Sequence, residues 1–215
     1  MSSLQRKPMG FDRRAADEIL CIALLHAYSP WLEAKGCDSV SECVDAVECN
    51  LAQPSGEDLL IVTRRGALPF RNLLRTLPAH VKVLLHVPDT RVAILAAHAA
   101  AEAGATGRVT LIATRIAVLQ AITVTDRRIA TALMTDDPDI AREAAHRKVA
   151  DAIVCPPQAA DEEMMLISWD NRIRVYVGIL DAREEMLEWI ERGADGIRTR
   201  HPALFMQSVG PHVIP

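Results

Sequence analysis

Aromatic residues are scarce in this sequence: they make up 4% of its 215 residues, although 50% of the residues are hydrophobic. The core must therefore be built from Ala, Leu, Ile and Val, as in many ordinary soluble proteins. No apolar run approaches the roughly 20 residues of a membrane-spanning helix, so we expect a soluble protein. Cysteines without a disulfide framework make reduced thiols in the cytoplasm the expectation. The formal net charge of −4 provides no basic field of the kind that nucleic-acid binding needs.

Paired cysteine motifs and nucleotide-binding loops are also missing. The five cysteines are odd in number and include no Cys-x-x-Cys pair, so neither a disulfide framework nor a zinc knuckle is indicated. We interpret Cys155, which precedes two prolines, as a buried and inert thiol rather than a nucleophile. The glycine patterns typical of nucleotide phosphate loops do not occur.

Short apolar runs rich in Val, Ile and Leu alternate with helical patterns along almost the whole chain. After a polar arm over residues 1–15, residues 16–215 form one predicted domain. This pattern favours a single (β/α)8 TIM-type barrel, with an open doubly wound sheet as the alternative. The predicted strands are Ile19–His26, Asp45–Leu51, Val81–Val87, Arg108–Thr114, Arg128–Met134, Ala150–Cys155, Ile173–Ile179 and Ala194–Thr199, with an extra short strand, Asp58–Thr63, after the second.

Function in such barrels is concentrated where the strands' carboxyl ends meet the following loops. Glu48 and Asn50 lie near the end of the second predicted strand, and their spacing of two places both side chains on one side of it. A carboxylate that points towards an apolar core needs a metal, an arginine or a lysine as its partner. His26 is the last residue of the first predicted strand and His86 the last but one of the third, so both would lie at the same rim.

The end of the chain carries a family resemblance. Val175-Tyr-Val-Gly-Ile-Leu-Asp181 and Gly193-Ala-Asp-Gly-Ile-Arg-Thr-Arg-His-Pro202 resemble the closing block of the glycerophosphodiester phosphodiesterases, which are phospholipase-C-like barrels. That block reads Val-Tyr-Val-Trp-Thr-Val-Asn and then, after a helix, Gly-Val-Asp-Gly-Ile-Ile-Thr-Asp-x-Pro. Further upstream, Ile22-Ala-Leu-Leu-His26 and Asp45-Ala-Val-Glu-Cys-Asn50 are similar to the family's strand before His-Arg-Gly and to Gly-x-Asp-x-Ile-Glu-x-Asp.

The resemblance implies a divalent metal, Mg²⁺ or Ca²⁺, held by hard carboxylates, and histidines that move protons while the diester splits. Carried over by position, it makes His26 the catalytic residue and assigns metal ligation to Glu48, Asn50 and His86. Much of the family pattern is replaced, so the chain resembles a degenerate member. Thr63-Arg-Arg65 stands in place of the second histidine, Gly178 in place of the tryptophan, and Arg200 in place of the aspartate.

Four arginines are candidates for binding the anionic part of a substrate. Arg64 and Arg65 follow the extra strand, and Arg198 and Arg200 flank Thr199 at the end of the last strand. The planar fork of a guanidinium matches the oxygens of a phosphate. We therefore expect an anionic or phosphorylated small molecule as the ligand.

Three functions are compatible with this pattern. The first is a glycerophosphodiester phosphodiesterase-like protein that acts on or binds a phosphodiester or phosphorylated small molecule; if active, it would be a metal-dependent phosphoric diester hydrolase. The second is a catalytically inactive barrel used for ligand binding or protein assembly. The third is an unrelated sugar-phosphate barrel enzyme with its phosphate at the Gly193–Gly196 turn. The oligomeric state stays open, a homo-oligomer included.

Overall fold

Eight parallel strands close into a barrel in the computed structural model, which describes residues 20–24, 44–51, 59–63 and 66–209. The ring runs in the order β1-β10-β9-β8-β7-β6-β5-β2. The predicted TIM-type barrel is therefore confirmed, and an open sheet is excluded. The barrel strands are β1 (Leu20–Leu24), β2 (Ala46–Asn50), β5 (Lys82–His86), β6 (Val109–Ala113), β7 (Ala130–Met134), β8 (Ala152–Cys155), β9 (Arg174–Val177) and β10 (Gly196–Thr199).

A short antiparallel hairpin interrupts the alternation after β2. It consists of β3 (Leu60–Thr63) and β4 (Gly66–Pro69), which pair with each other and form a sheet separate from the barrel. A bridge between Leu51 and Ile61 attaches the hairpin to the end of β2. The predicted extra strand is thus confirmed as one arm of a hairpin at the carboxyl end of the barrel.

Helices lie between the later strands and cover the outside of the barrel. Three of them begin at an aspartate whose side chain accepts backbone N–H groups of the first turn: Asp89, Asp137 and Asp161. Such caps satisfy donors that the helix itself leaves unpaired. The described helices are α1 (Phe70–Thr76), α2 (Thr90–Glu102), α3 (Ile116–Thr125), α4 (Pro138–Arg147), α5 (Glu162–Asn171), α6 (Arg183–Glu191) and α7 (Pro202–Val209).

The strands are apolar on both faces, and this produces two cores. The larger core packs the strands against the helices, while the inner one fills the barrel with small and branched side chains. Burial on both faces is the reason that the strands appear in the sequence as continuous apolar runs. The inner core contains Ile22, Ala46, Leu84, Ile112, Ala132, Ala152, Val154 and Tyr176.

Three aspartates fix neighbouring strands at the amino end of the barrel. Each immediately precedes a strand, and its carboxylate accepts a backbone N–H of an adjacent strand. These bonds align the strands at the end opposite to the predicted site. The pairs are Asp45 with Cys21, Asp151 with Thr131, and Asp195 with Val175, at 2.7, 2.8 and 2.8 Å.

Some expectations fall on residues beyond these ranges. The arm over residues 1–15, and therefore its boundary with the domain, lies outside the described residues and stays a prediction. In the part of the chain that is described, no helix is long and apolar enough to cross a membrane.

Candidate functional site

Three polar side chains meet inside the carboxyl end of the barrel: Glu48, His86 and Arg198, which we call the mouth cluster. Arg198 donates from Nε to Glu48 Oε2 at 2.6 Å and from Nη2 to Glu48 Oε1 at 2.7 Å. His86 Nε2 lies 2.8 Å from Glu48 Oε1. Glu48 and Arg198 are 5% and 8% exposed, so this bidentate pair is almost completely removed from solvent.

The strand register explains why these residues meet. Leu24 on β1 is level with Glu48 on β2, and Ile22 is level with Arg198 on β10. Because β1 lies between β10 and β2, the long arginine side chain reaches past one strand to the glutamate. His86 ends β5, the other neighbour of β2, and its side chain is 22% exposed. The histidine is therefore the member of the cluster nearest to solvent.

The cluster keeps Glu48 ionised despite its burial. Burial raises the pKa of this carboxyl, but the hydrogen bonds from Arg198 and then His86, together with their charges, lower the pKa to about 2. Glu48 is therefore a carboxylate at every physiological pH. Its negative charge is balanced by the guanidinium of Arg198.

Gly178 supplies the remaining contact of Arg198. Its carbonyl oxygen accepts a hydrogen bond from Arg198 Nη1 at 3.0 Å. Gly178 has a φ of 141°, a conformation that favours glycine. A Cβ at this position would lie 2.4 Å from the backbone oxygen of Arg198 and 2.9 Å from its Cβ. The absence of a side chain at residue 178 is therefore a requirement of this backbone.

We expect Gly178→Ala to destabilise the protein by roughly 2–3 kcal/mol, because the new methyl group meets backbone and the φ is unfavourable. Urea unfolding followed by circular dichroism measures this loss. Gly107→Ala is the matched control, since a Cβ there has no atom within 4 Å. Equal stability of the two variants would contradict the prediction.

Several solved structures have a barrel similar to this one. No protein-family model and no curated protein sequence matches the chain. A glycerophosphodiester phosphodiesterase from Parabacteroides distasonis superposes with a TM-score of 0.73 at 11% identity, covering 90% of this chain and 97% of that one. The enzyme from Thermotoga maritima gives 0.68 at 12% identity, with coverages of 88% and 97%. The chain has the fold of the glycerophosphodiester phosphodiesterases.

A third structure with this fold carries a ligand. It is a phosphodiesterase from Oleispira antarctica in complex with the product sn-glycerol-3-phosphate, with a TM-score of 0.67, 9% identity and coverages of 88% and 95%. The fold that the resemblance of the closing block implies is thereby confirmed. At such identities the comparison establishes the barrel and leaves the chemistry to the residues of this chain.

The predicted site residues of this phosphodiesterase-type barrel have different surroundings. Glu48 and His86 are in contact, and the arginine that binds Glu48 is Arg198, for which the sequence predicts substrate binding. Arg200 is exposed and pairs on the outside with Asp181, its Nε lying 2.6 Å from Asp181 Oδ2. Arg198 and Arg200 therefore do not face one common anion site. This is because Arg198 points into the barrel, whereas Arg200 lies beyond the end of β10.

The remaining candidates are distributed as follows. Asn50 follows Glu48 on the same side of β2, is level with His86 and is exposed. Burial raises the pKa of Cys155 to about 12, in agreement with an inert thiol. His26, Arg64 and Arg65 lie outside the described residues, and their roles stay predictions.

The residues of the mouth cluster do not fit a hard divalent cation. Calcium takes 6–8 oxygen ligands and magnesium demands a regular octahedron of them, whereas both oxygens of Glu48 are already bound by Arg198. Asn50 contributes no charge. Across the described ranges, no group of three or more His, Cys, Asp or Glu residues is arranged to hold a metal ion.

The sequence predicts that Glu48 and His86 lie at the same rim, which the structure confirms, but it does not predict the partnership of Glu48 with Arg198. One signal for it was present, because a carboxylate at an inward position requires a cation. The closing block contained the other signal, since Arg198 stands where the family's block has its second isoleucine, an apolar residue. A charge at such a position predicts an opposite charge inside the barrel.

Proposed function

We propose that this protein binds a phosphorylated small molecule, a glycerol phosphate or its diester, at the mouth of its barrel. The observation that carries the proposal is that a buried arginine and a partly exposed histidine lie together at the carboxyl end of a phosphodiesterase-type barrel. Ligand sites in such barrels lie at this end. The Oleispira antarctica phosphodiesterase, which holds sn-glycerol-3-phosphate, supports the choice of ligand.

Arg198 retains hydrogen-bonding capacity for an anion. A guanidinium has five N–H donors, and three of them are used by Glu48 and the carbonyl of Gly178. The other two have no partner among the described residues. His86 adds a ring nitrogen, because only its Nε2 is engaged by Glu48. The two N–H groups of Arg198 are donors for phosphate oxygens at the rim. Because a neutral His86 that donates Nε2–H to Glu48 leaves Nδ1 as an acceptor, this nitrogen suits a hydroxyl group of the ligand.

The geometry supports binding better than metal-dependent hydrolysis. Hydrolysis in the manner implied by the family resemblance would use Glu48, Asn50 and His86 as metal ligands and His26 to transfer protons. In this barrel Glu48 is neutralised by Arg198, and Asn50 carries no charge. A non-catalytic ligand-binding barrel is therefore the function that we infer.

Isothermal titration calorimetry with sn-glycerol 3-phosphate tests this proposal. We expect binding by the full-length protein in the presence of EDTA, and His86→Gln should weaken it about tenfold because the hydrogen bond between the imidazole and the ligand is lost. His98→Gln, which changes an exposed histidine on α2, is the control and should leave the affinity unaltered. Lack of binding by the unaltered protein would refute the proposal.

An enzyme assay distinguishes binding from turnover. Incubation with glycerophosphodiesters and Mg²⁺, Ca²⁺ or Mn²⁺ should release no alcohol if the barrel only binds its ligand. Turnover that requires both the metal and Glu48 would instead establish a phosphoric diester hydrolase.

A further inference from the structure

A carboxylate inside a barrel mouth needs a positive partner, and here that partner is part of the chain. Glu48 is almost completely buried, and its two oxygens receive three contacts from Arg198 and His86 at 2.6–2.8 Å. No buried side-chain nitrogen or oxygen among the described residues lacks a hydrogen-bond partner. The charges of Glu48 and Arg198 thus balance each other within the cluster, and both oxygens of Glu48 are engaged by groups of the chain.

Two residues at which the chain departs from the closing block that it resembles, Arg198 and Gly178, are hydrogen-bonded to each other. Arg198 stands at the position of an isoleucine, and Gly178 stands at the position of a tryptophan. The backbone of Gly178, in a conformation that favours glycine, turns its carbonyl towards Arg198 Nη1. The first replacement brings a cation into the barrel, and the second supplies a hydrogen bond that holds this cation in place.

We propose that the guanidinium of Arg198 is the resident cation of this site and occupies the position beside Glu48 that a divalent metal would otherwise take. An arginine is suited to this role because it stays protonated and offers a rigid fork to the carboxylate. If the proposed function holds, phosphate binding at the mouth is consequently independent of metal ions. The proposal that Arg198 takes the place of a metal ion does not depend on which ligand binds.

Removal of Arg198 should convert the cluster into a metal site. In Arg198→Met both oxygens of Glu48 become available beside His86 and the amide oxygen of Asn50, so that a cation can replace the lost charge. Mn²⁺ is the probe, because it accepts both carboxylate and imidazole ligands and its free concentration can be read by electron paramagnetic resonance. We expect the variant to bind one Mn²⁺ at least about tenfold more tightly than the unaltered protein.

A thermal-shift measurement provides a second readout that is independent of the Mn²⁺ titration. A ligand that binds only the folded state raises the unfolding midpoint, so Mn²⁺ should raise the midpoint of Arg198→Met and leave that of the unaltered protein unchanged. Arg128→Met is the matched control: it removes an exposed arginine paired with Asp126 before β7 and should gain no Mn²⁺ binding.

Two results would overturn the proposal. One is stoichiometric Mn²⁺ binding by the unaltered protein that Glu48→Gln abolishes, because the carboxylate would then already serve a metal. The other is an Arg198→Met protein that gains neither Mn²⁺ binding nor stabilisation by Mn²⁺. Both readouts are independent of phosphate, so a protein that fails to bind sn-glycerol 3-phosphate would refute the proposed function and leave this test intact.

Discussion

Arg198→Met is expected to lower the free energy of unfolding by about 3–5 kcal/mol, the usual cost of removing one partner of a buried ion pair. The methionine replaces the aliphatic stem of the arginine but leaves Glu48 without its two strongest hydrogen bonds. The carboxylate would then be a buried charge with His86 as its only remaining contact within the cluster. Urea unfolding monitored by circular dichroism measures the loss.

Two further variants show whether the loss of stability in Arg198→Met is caused by breaking the buried ion pair. Arg128→Met removes an exposed arginine, whose side chain is 73% accessible, and should cost far less stability than Arg198→Met, because solvent screens an exposed ion pair. Adding Glu48→Gln to Arg198→Met removes the orphaned charge and should recover a large part of the stability. An equal loss in Arg198→Met and Arg128→Met would contradict a central role for the buried pair.

The stability of the protein should fall in acid because of Glu48. The pKa of this carboxyl is about 2 in the folded protein and 4.5 in the absence of the fold. The unfolded chain therefore takes up the proton first as the pH falls. The contribution is fully present above about pH 4.5 and is lost as the pH falls towards 2, and it amounts to about 3 kcal/mol at neutral pH.

Comparison with Glu48→Gln isolates this contribution from that of other acids. The pKa values of Asp126 and Asp181 are also lowered by their arginine partners, so the unaltered protein loses stability for several reasons. The free energies of unfolding of the unaltered protein and of Glu48→Gln are measured from pH 7 to pH 2. The difference between them should become smaller as the pH falls. A difference that stays constant over this range would contradict a depressed pKa at Glu48.

The inward orientation of Glu48 could be predicted because side chains alternate along a strand. Its spacing from Asn50 placed both at the carboxyl end of β2, and the apolar run around them indicated a buried strand. His86 ended the next barrel strand and so lay within reach. Strand period and barrel topology therefore suffice to bring Glu48 and His86 together.

The pairing of Arg198 with Glu48 could not be predicted in this way, because the two residues come into contact only when the barrel closes. Arg198 is 150 residues away from Glu48, and the two meet only because β1 pairs with both β2 and β10. From the sequence, Arg198 and Arg200 looked equivalent on either side of Thr199. Arg198 lies within β10 and points into the barrel, whereas Arg200 lies one residue beyond the end of β10 and forms an exposed pair with Asp181.

By itself, the sequence determined the architecture: alternating apolar runs and helical patterns specify eight parallel strands with helices between them, because each strand must be buried on both faces. It also determined that a carboxylate points inwards and needs a cation. Only the tertiary structure decided which cation that is. The choice depended on the register of the closed ring, which places a guanidinium from the last strand against a glutamate of the second, and on a glycine backbone that turns its carbonyl to the same group.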